Sequence, residues 1–169
     1  MPFGKARRSG AGFTLIELLI VIAIIGILAA IAIPNLLNAL QRGRQKRTMA
    51  DIRTLATAIE AYNADISLYP TAAMCPGPQV LPDATPVPVS SSSWTVLRPT
   101  YIAQPPYVDG WRNPLQYSVD NQLFAYALVS AGRDNNLTWP PVCGTTTDFN
   151  SDIVYSNGTF VQYPDGPQH

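Results

Sequence analysis

A chain of 169 residues has room for one modest globular domain and an additional segment, since domains commonly run to roughly 100–200 residues. Only 13% of its side chains are charged against 47% hydrophobic, and the apolar excess is concentrated in one block near the start. Formal net charge is zero, and with no basic surplus and no basic and aromatic interleaving outside residues 42–53, the composition argues against a dedicated nucleic-acid module.

The first cations, Lys5, Arg7 and Arg8, stand ahead of the apolar block, and taking them away leaves 8 basic side chains against 11 acidic. From Phe13 to Ile33 the chain reads FTLIELLIVIAIIGILAAIAI, broken only by Thr14, Glu17 and Gly26. Its 21 positions are enough for a helix to cross a bilayer core. A secretory signal peptide is the rival reading, with Ala29, Ala30 and Ala32 as its cleavage region. Such a peptide has an apolar run of roughly 7–15 residues, so the length and the helical pattern that follows favour a retained span over 13–33.

Pro34 lacks a backbone donor and crowds the carbonyl of Ala30, which predicts a kink or loosening there. Beyond it Met49, Ile52, Leu55, Ala56, Ile59, Tyr62 and Ile66 recur every three or four positions, the pattern of one helix face. The opposite face carries Asp51, Arg53, Thr57, Glu60 and Asn63, so residues 34–66 read as an amphipathic continuation laid across a soluble domain. Tyr69-Pro70 ends the pattern, because proline disfavours helical geometry in the residue before it. The run Arg42, Arg44, Lys46 and Arg47 is suited to lipid headgroups or nucleic acid, but such runs at a membrane exit are more often solvated faces.

Residues 74–93, rich in proline and closing on four serines, predict an extended loop without regular structure. Four segments rich in β-branched and aromatic residues follow at 115–119, 123–129, 153–156 and 159–163. The last two flank Asn157-Gly158, the strongest short hairpin signal. The expected fold is therefore α+β, a long N-terminal helix packed on a small antiparallel sheet, with residues 67–169 forming the C-terminal globular domain. Cys75 and Cys143 both lie beyond the apolar block, where an exported domain meets an oxidising compartment, so they read as one disulfide.

The segment Lys5 to Glu17, KARRSGAGFTLIE, is a short basic leader ending in glycine and followed by Phe-Thr-Leu-Ile-Glu and an apolar run. It resembles the prepilin signature shared by type IV pilins and type II secretion pseudopilins. The resemblance implies a pilin fold, removal of leader 1–12 by a membrane aspartyl prepilin peptidase after Gly12, and methylation of the new N-terminal Phe13. Gly12 also has a physical warrant, because a residue without Cβ lets a protease approach the backbone. Glu17 is an ionisable group in an apolar span, expensive enough that function is the default reading. The amine freed at Phe13 would lie about 6 Å away along the helix axis. In the family this glutamate is thought to pair with the amine of a neighbouring subunit, and a proline at the place of Pro34 accompanies local melting in the fibre. The implied partners are further copies of the chain in a helical homopolymer, an inner-membrane assembly platform with its cytoplasmic ATPase, and minor pilins or pseudopilins. The implied location is the bacterial inner membrane, with the N-terminus cytoplasmic and the domain exported, and then a filament.

Tyr69-Pro70-Thr71, Asp109 to Tyr117 (DGWRNPLQY) and Ser130 to Asp134 (SAGRD) narrow the resemblance to the major pseudopilin of type II secretion. The usual Asp-Pro-Trp-Gly-Asn-Pro is replaced by Gly110 and Arg112 variants, which keeps an adhesion, motility or DNA-uptake pilus as the alternative. Ser130, Asp134, Asp148 and Asp152 supply hard oxygen donors between two strands, although their spacing is not that of an EF-hand and their chemistry alone favours a role as turn formers. The resemblance implies calcium, because a serine-led Gly-x-Asp loop followed by Asp-Ile binds it in that pseudopilin. An enzyme fits poorly, since the only histidine is the terminal His169 and no nucleophile, base and orienting group form a recognisable motif. A membrane-anchored extracytoplasmic binding domain is the rival outside the filament class.

Overall fold

A computed structural model describes residues 12–66, 86–88, 97–119 and 125–168. One helix, α1, runs over Leu15–Ile66, and six strands follow: β1 Val87–Pro88, β2 Gln116–Val119, β3 Tyr126–Ser130, β4 Gly144–Thr146, β5 Ile153–Ser156 and β6 Thr159–Pro164. The chain divides into two compact units, Met1–Leu37 and Asn38–His169.

In the first unit α1 carries an all-round apolar surface. The large side chains stand exposed, from Phe13 just ahead of the helix at 82% to Val21 at 45%, because the described residues of this unit hold no second layer against which to bury them. A helix apolar on every side belongs in a core or a membrane, and this one is long and apolar enough to cross a bilayer. Pro34 lies inside the helix. The helix runs on through it, since a proline removes one donor while the turns on either side keep theirs.

The second unit is a helix on a sheet, with strands in the order β1-β2-β3-β5-β6-β4. The four pairings from β1 through β6 along that order are antiparallel, and β4 joins β6 in parallel at the edge. The sheet is thus antiparallel as expected except at β4. Three residues, Gly-Thr-Thr, gave no apolar alternation from which to read that strand. The expected structureless loop needs a second correction: Val87 and Pro88 pair with Tyr117 and Gln116. Proline is admissible there because β1 is an edge strand, with one side free of ladder bonds. The rest of 74–93 and the Tyr69-Pro70 stop lie outside the described residues.

Asn157 and Gly158 turn β5 into β6 with φ of 41° and 89°. Two positive values in a two-residue loop make the turn whose twist matches the strands, and asparagine followed by glycine tolerates it best. On one sheet face Ile52, Leu55, Ala56 and Ile59 of α1 bury against Leu115, Tyr126, Leu128, Ile153 and Tyr155. On the other, Ala127, Val129, Val154 and Val161 are covered by Leu137, Trp139 and Cys143. With both faces covered, every residue of β3 is buried, which is why its sequence is apolar from Tyr126 to Val129 and does not alternate.

The loop before β2 docks on α1 through one main-chain and one side-chain donor. Gly110 N–H donates to Thr48 Oγ1 at 2.9 Å, and the Trp111 indole donates to Gln41 Oε1 at 2.6 Å. Gly110 lies so close that a Cβ would collide with the Arg44 carbonyl. A residue without a side chain at this position permits the approach.

Candidate functional site

The start of α1 is a reciprocal cap. Thr14 N–H donates to Glu17 Oε2 at 2.9 Å and the Thr14 hydroxyl donates to the same oxygen at 2.7 Å, while Glu17 N–H donates back to Thr14 Oγ1 at 3.2 Å. This is the capping box, threonine at the cap and glutamate three residues on, which satisfies donors that the first helical turn leaves open. Glu17 stands out in the sequence by its charge and Thr14 does not, although the Thr-x-x-Glu spacing is the signal that marks it. Helix geometry therefore begins at Leu15, with Gly12, Phe13 and Thr14 outside it. A non-helical, exposed backbone is what a peptidase needs to bind an extended substrate. Nothing stands within 4 Å of where a Gly12 Cβ would be, and Phe13 is 82% exposed. Gly12, Phe13 and Glu17 are thus brought together at one helix end, with Pro34 farther along the same element.

A second group sits at the end of β3. Asp109, 2% exposed, accepts from the Ser130 hydroxyl at 2.7 Å through Oδ2, and from Trp111 and Asn113 N–H at 2.8 Å each through Oδ1. Burial pushes its carboxyl upward, opposed by the Ser130 hydroxyl and the N–H groups of Asn113, Trp111 and Arg112. This tie between Ser130 and the Asp109 loop was not foreseen, because no local pattern joins residues 21 positions apart. Asp152 accepts from Thr138 N–H at 2.7 Å through Oδ2. Its Oδ1 is buried without a hydrogen-bond partner. Burial raises the Asp152 carboxyl to about 6, partly offset by the Thr138 N–H and reinforced by the charge of Asp134.

Asp134 and Asp148 also serve turns, accepting from Asn136 and Asn150 N–H at 3.1 and 3.0 Å. Among the described residues no group of three or more His, Cys, Asp or Glu side chains is close enough to share a metal. The pair that interacts is Asp134 with Asp152, and the orphaned Asp152 oxygen is the feature that suits a hard cation. Cys143 packs on the outer sheet face. Cys75 lies outside the described residues.

Two family profiles match the chain: the prokaryotic N-terminal methylation motif over residues 7–33 and type II secretion system protein G over residues 35–153. Curated proteins named type II secretion system core protein G are similar to it. That of Escherichia coli K12 is 32% identical over 133 residues, 79% of this chain and 88% of that protein. Those of Pseudomonas aeruginosa and Aeromonas hydrophila are 33% and 34% identical over 131 residues, 76% of this chain and 87% and 86% of theirs. No solved structure matches significantly. A methylation motif on the exposed apolar helix, followed by a profile that covers the helix-on-sheet unit up to the start of β5, means that the chain belongs to the type II secretion system protein G family, the major pseudopilins.

Proposed function

We propose that the chain is cut after Gly12, methylated on Phe13 and packed through α1 into the pseudopilus of a type II secretion system. Its role is structural. The observation that carries this reading is the exposed apolar surface from Phe13 to Leu37, which needs lipid before assembly and neighbouring helices after it. Glu17 supplies the polar element. While the leader is attached, its carboxylate is held by Thr14; once cleavage frees the Phe13 amine, a neighbouring subunit's amine can share it and set the register. The N-terminus faces the cytoplasm and the sheet unit is exported. Prepilin peptidase, the assembly platform with its ATPase, and minor pseudopilins are the partners. Deleting the gene should leave exported enzymes trapped between the membranes, with surface motility and DNA uptake unchanged. Normal secretion with lost motility or DNA uptake would assign the filament to a pilus instead.

We further propose calcium at Ser130, Asp134, Asp148 and Asp152. The support is the buried, unpartnered Asp152 Oδ1 beside the charge of Asp134, a repulsion that a bound dication relieves. Bound calcium would neutralise these carboxylates and order the chain between β3 and β5. A ligand that binds only the folded state raises stability. Residues 38–169 should therefore melt several degrees higher in millimolar calcium than in chelator, and equal melting temperatures would leave these aspartates as turn residues.

The Cys75 to Cys143 disulfide is proposed from their export and from the place of Cys143 against the outer sheet face. Closing so long a loop is worth roughly 4 kcal/mol in the chain-entropy model. Alkylation of the exported protein without reductant should label neither cysteine; two labelled thiols would refute the bridge.

A further inference from the structure

The span is followed immediately by cations. From Leu18 through Gln41 no side chain is charged, a run long enough at about 1.5 Å per residue to cross the roughly 30 Å hydrocarbon core. Arg42, Arg44, Lys46 and Arg47 come next, and all four are exposed. Gln45 and Thr48, between and beside them, are buried within the second unit, at 3% and 0% exposure. At about 100° per residue, Arg42 and Lys46 fall on one flank of that buried stripe and Arg44 and Arg47 on the other. The cations therefore form a collar and not a one-sided face. Among the described residues the one ion pair they make is Arg47 Nε to Asp51 Oδ2, at 3.4 Å, with the Arg47 side chain 70% exposed.

We propose that this collar binds the phosphate groups of anionic phospholipids in the leaflet where the helix leaves the membrane, holding the subunit at a fixed depth before assembly. The proposal rests on the membrane-anchored reading of α1. Charge complementarity and continuity with the apolar run favour lipid over nucleic acid. A nucleic-acid strand would be met best by cations gathered on one face, with bases stacked on aromatic rings, whereas headgroups surround an emerging helix on all sides. Juxtamembrane clusters of this size attract anionic lipid, and the attraction is screened by salt. The collar also answers a topological difficulty. Four cations on the exported side oppose the usual inside-positive bias, and anionic headgroups there would offset them.

The molecule carries its own reporter, because the Trp111 indole is bonded to Gln41, the residue before the collar. Full-length protein should be reconstituted into phosphatidylcholine vesicles containing dansyl-labelled phosphatidylglycerol or, in parallel, dansyl-labelled phosphatidylcholine. Energy transfer from tryptophan should be roughly twofold greater to the anionic probe at low salt. It should equalise near 1 M salt, where the screening length is about 3 Å, a test that needs no variant. The variant R42Q/R44Q/K46Q/R47Q, which keeps Lys5, Arg7 and Arg8, should lose the preference. Equal transfer in wild type, or a preference that survives in the variant, would overturn the collar, and so would retention of a labelled oligonucleotide without lipid preference. Resistance to alkaline extraction checks the anchoring separately. An extracted chain overturns the anchoring and the collar with it, while equal transfer in a chain that resists extraction overturns the collar alone.

Discussion

Glu17→Ala should leave the protein in the membrane at its normal level while sheared fibres fall on the order of a hundredfold. The estimate follows from the penalty for an unpaired charge in an apolar helix packing, roughly 2.5–3.5 kcal/mol, converted at about 1.4 kcal/mol per tenfold. Without the carboxylate, the amine of a neighbouring Phe13 enters the fibre with no partner, whereas the single subunit in lipid never needs the pair. The cap complicates a simple alanine comparison, because Glu17 also closes the Thr14 box. Glu17→Gln separates the two roles, since glutamine keeps a capping acceptor but carries no charge. It should fail in assembly like alanine. If glutamine restores fibres, the cap and not the ion pair is what assembly requires.

The second large effect lies in the exported unit. Gly132 has φ of +66°, and a Cβ there would stand 2.5 Å from the Asn150 carbonyl oxygen and 2.8 Å from its carbon. Its own carbonyl accepts the Asn113 side-chain amide at 2.8 Å, so a shift would propagate to the Asp109 loop. The left-handed conformation alone costs roughly 1–2 kcal/mol for an L-residue. With backbone displacement added, Gly132→Ala should destabilise residues 38–169 by roughly 2–4 kcal/mol, a fall of about 10 °C in Tm. Gly43→Ala is the internal contrast. It sits in α1 with nothing within 4 Å of its Cβ position, so alanine there should stabilise by up to about 1 kcal/mol. A calorimetric scan that ranks the two variants in the opposite order would mean that the close approach at Gly132 relaxes freely.

What could be read in the sequence was what local periodicity or turn chemistry dictates. The stripe from Met49 to Tyr62 lands on the sheet because a 3.6-residue repeat has one apolar face to bury. Asn157-Gly158 turns β5 into β6 because few other pairs accept two positive φ values. The elements that escaped depend on partners distant in sequence. β4 is a strand because β6 offers it parallel hydrogen bonds, and Gly-Thr-Thr has no pattern of its own. Pro88 joins the sheet because β2 had an open edge. At the site, Glu17 is conspicuous as a charge among aliphatic residues, while Thr14 reads as a mere break in the apolar run and is in fact its hydrogen-bonding partner. The bond between Ser130 and Asp109 had no local signal, and it bears on calcium, since the hydroxyl offered as a ligand already donates its proton. A hydroxyl that donates to Asp109 retains lone pairs for a cation, so the bond orients Ser130 without removing it from the donor set.

Processing at the Gly12-Phe13 junction and polymerisation through the helix that starts two residues on, at Leu15, stand or fall together. Intact-mass and N-terminal peptide mass spectrometry on sheared, purified fibres tests both parts at once. The expected species begins at Phe13 and carries one added methyl group on its amine. Fibres built from chains that begin at Met1, or membranes in which the chain begins after the alanines at 29–32, would contradict the account.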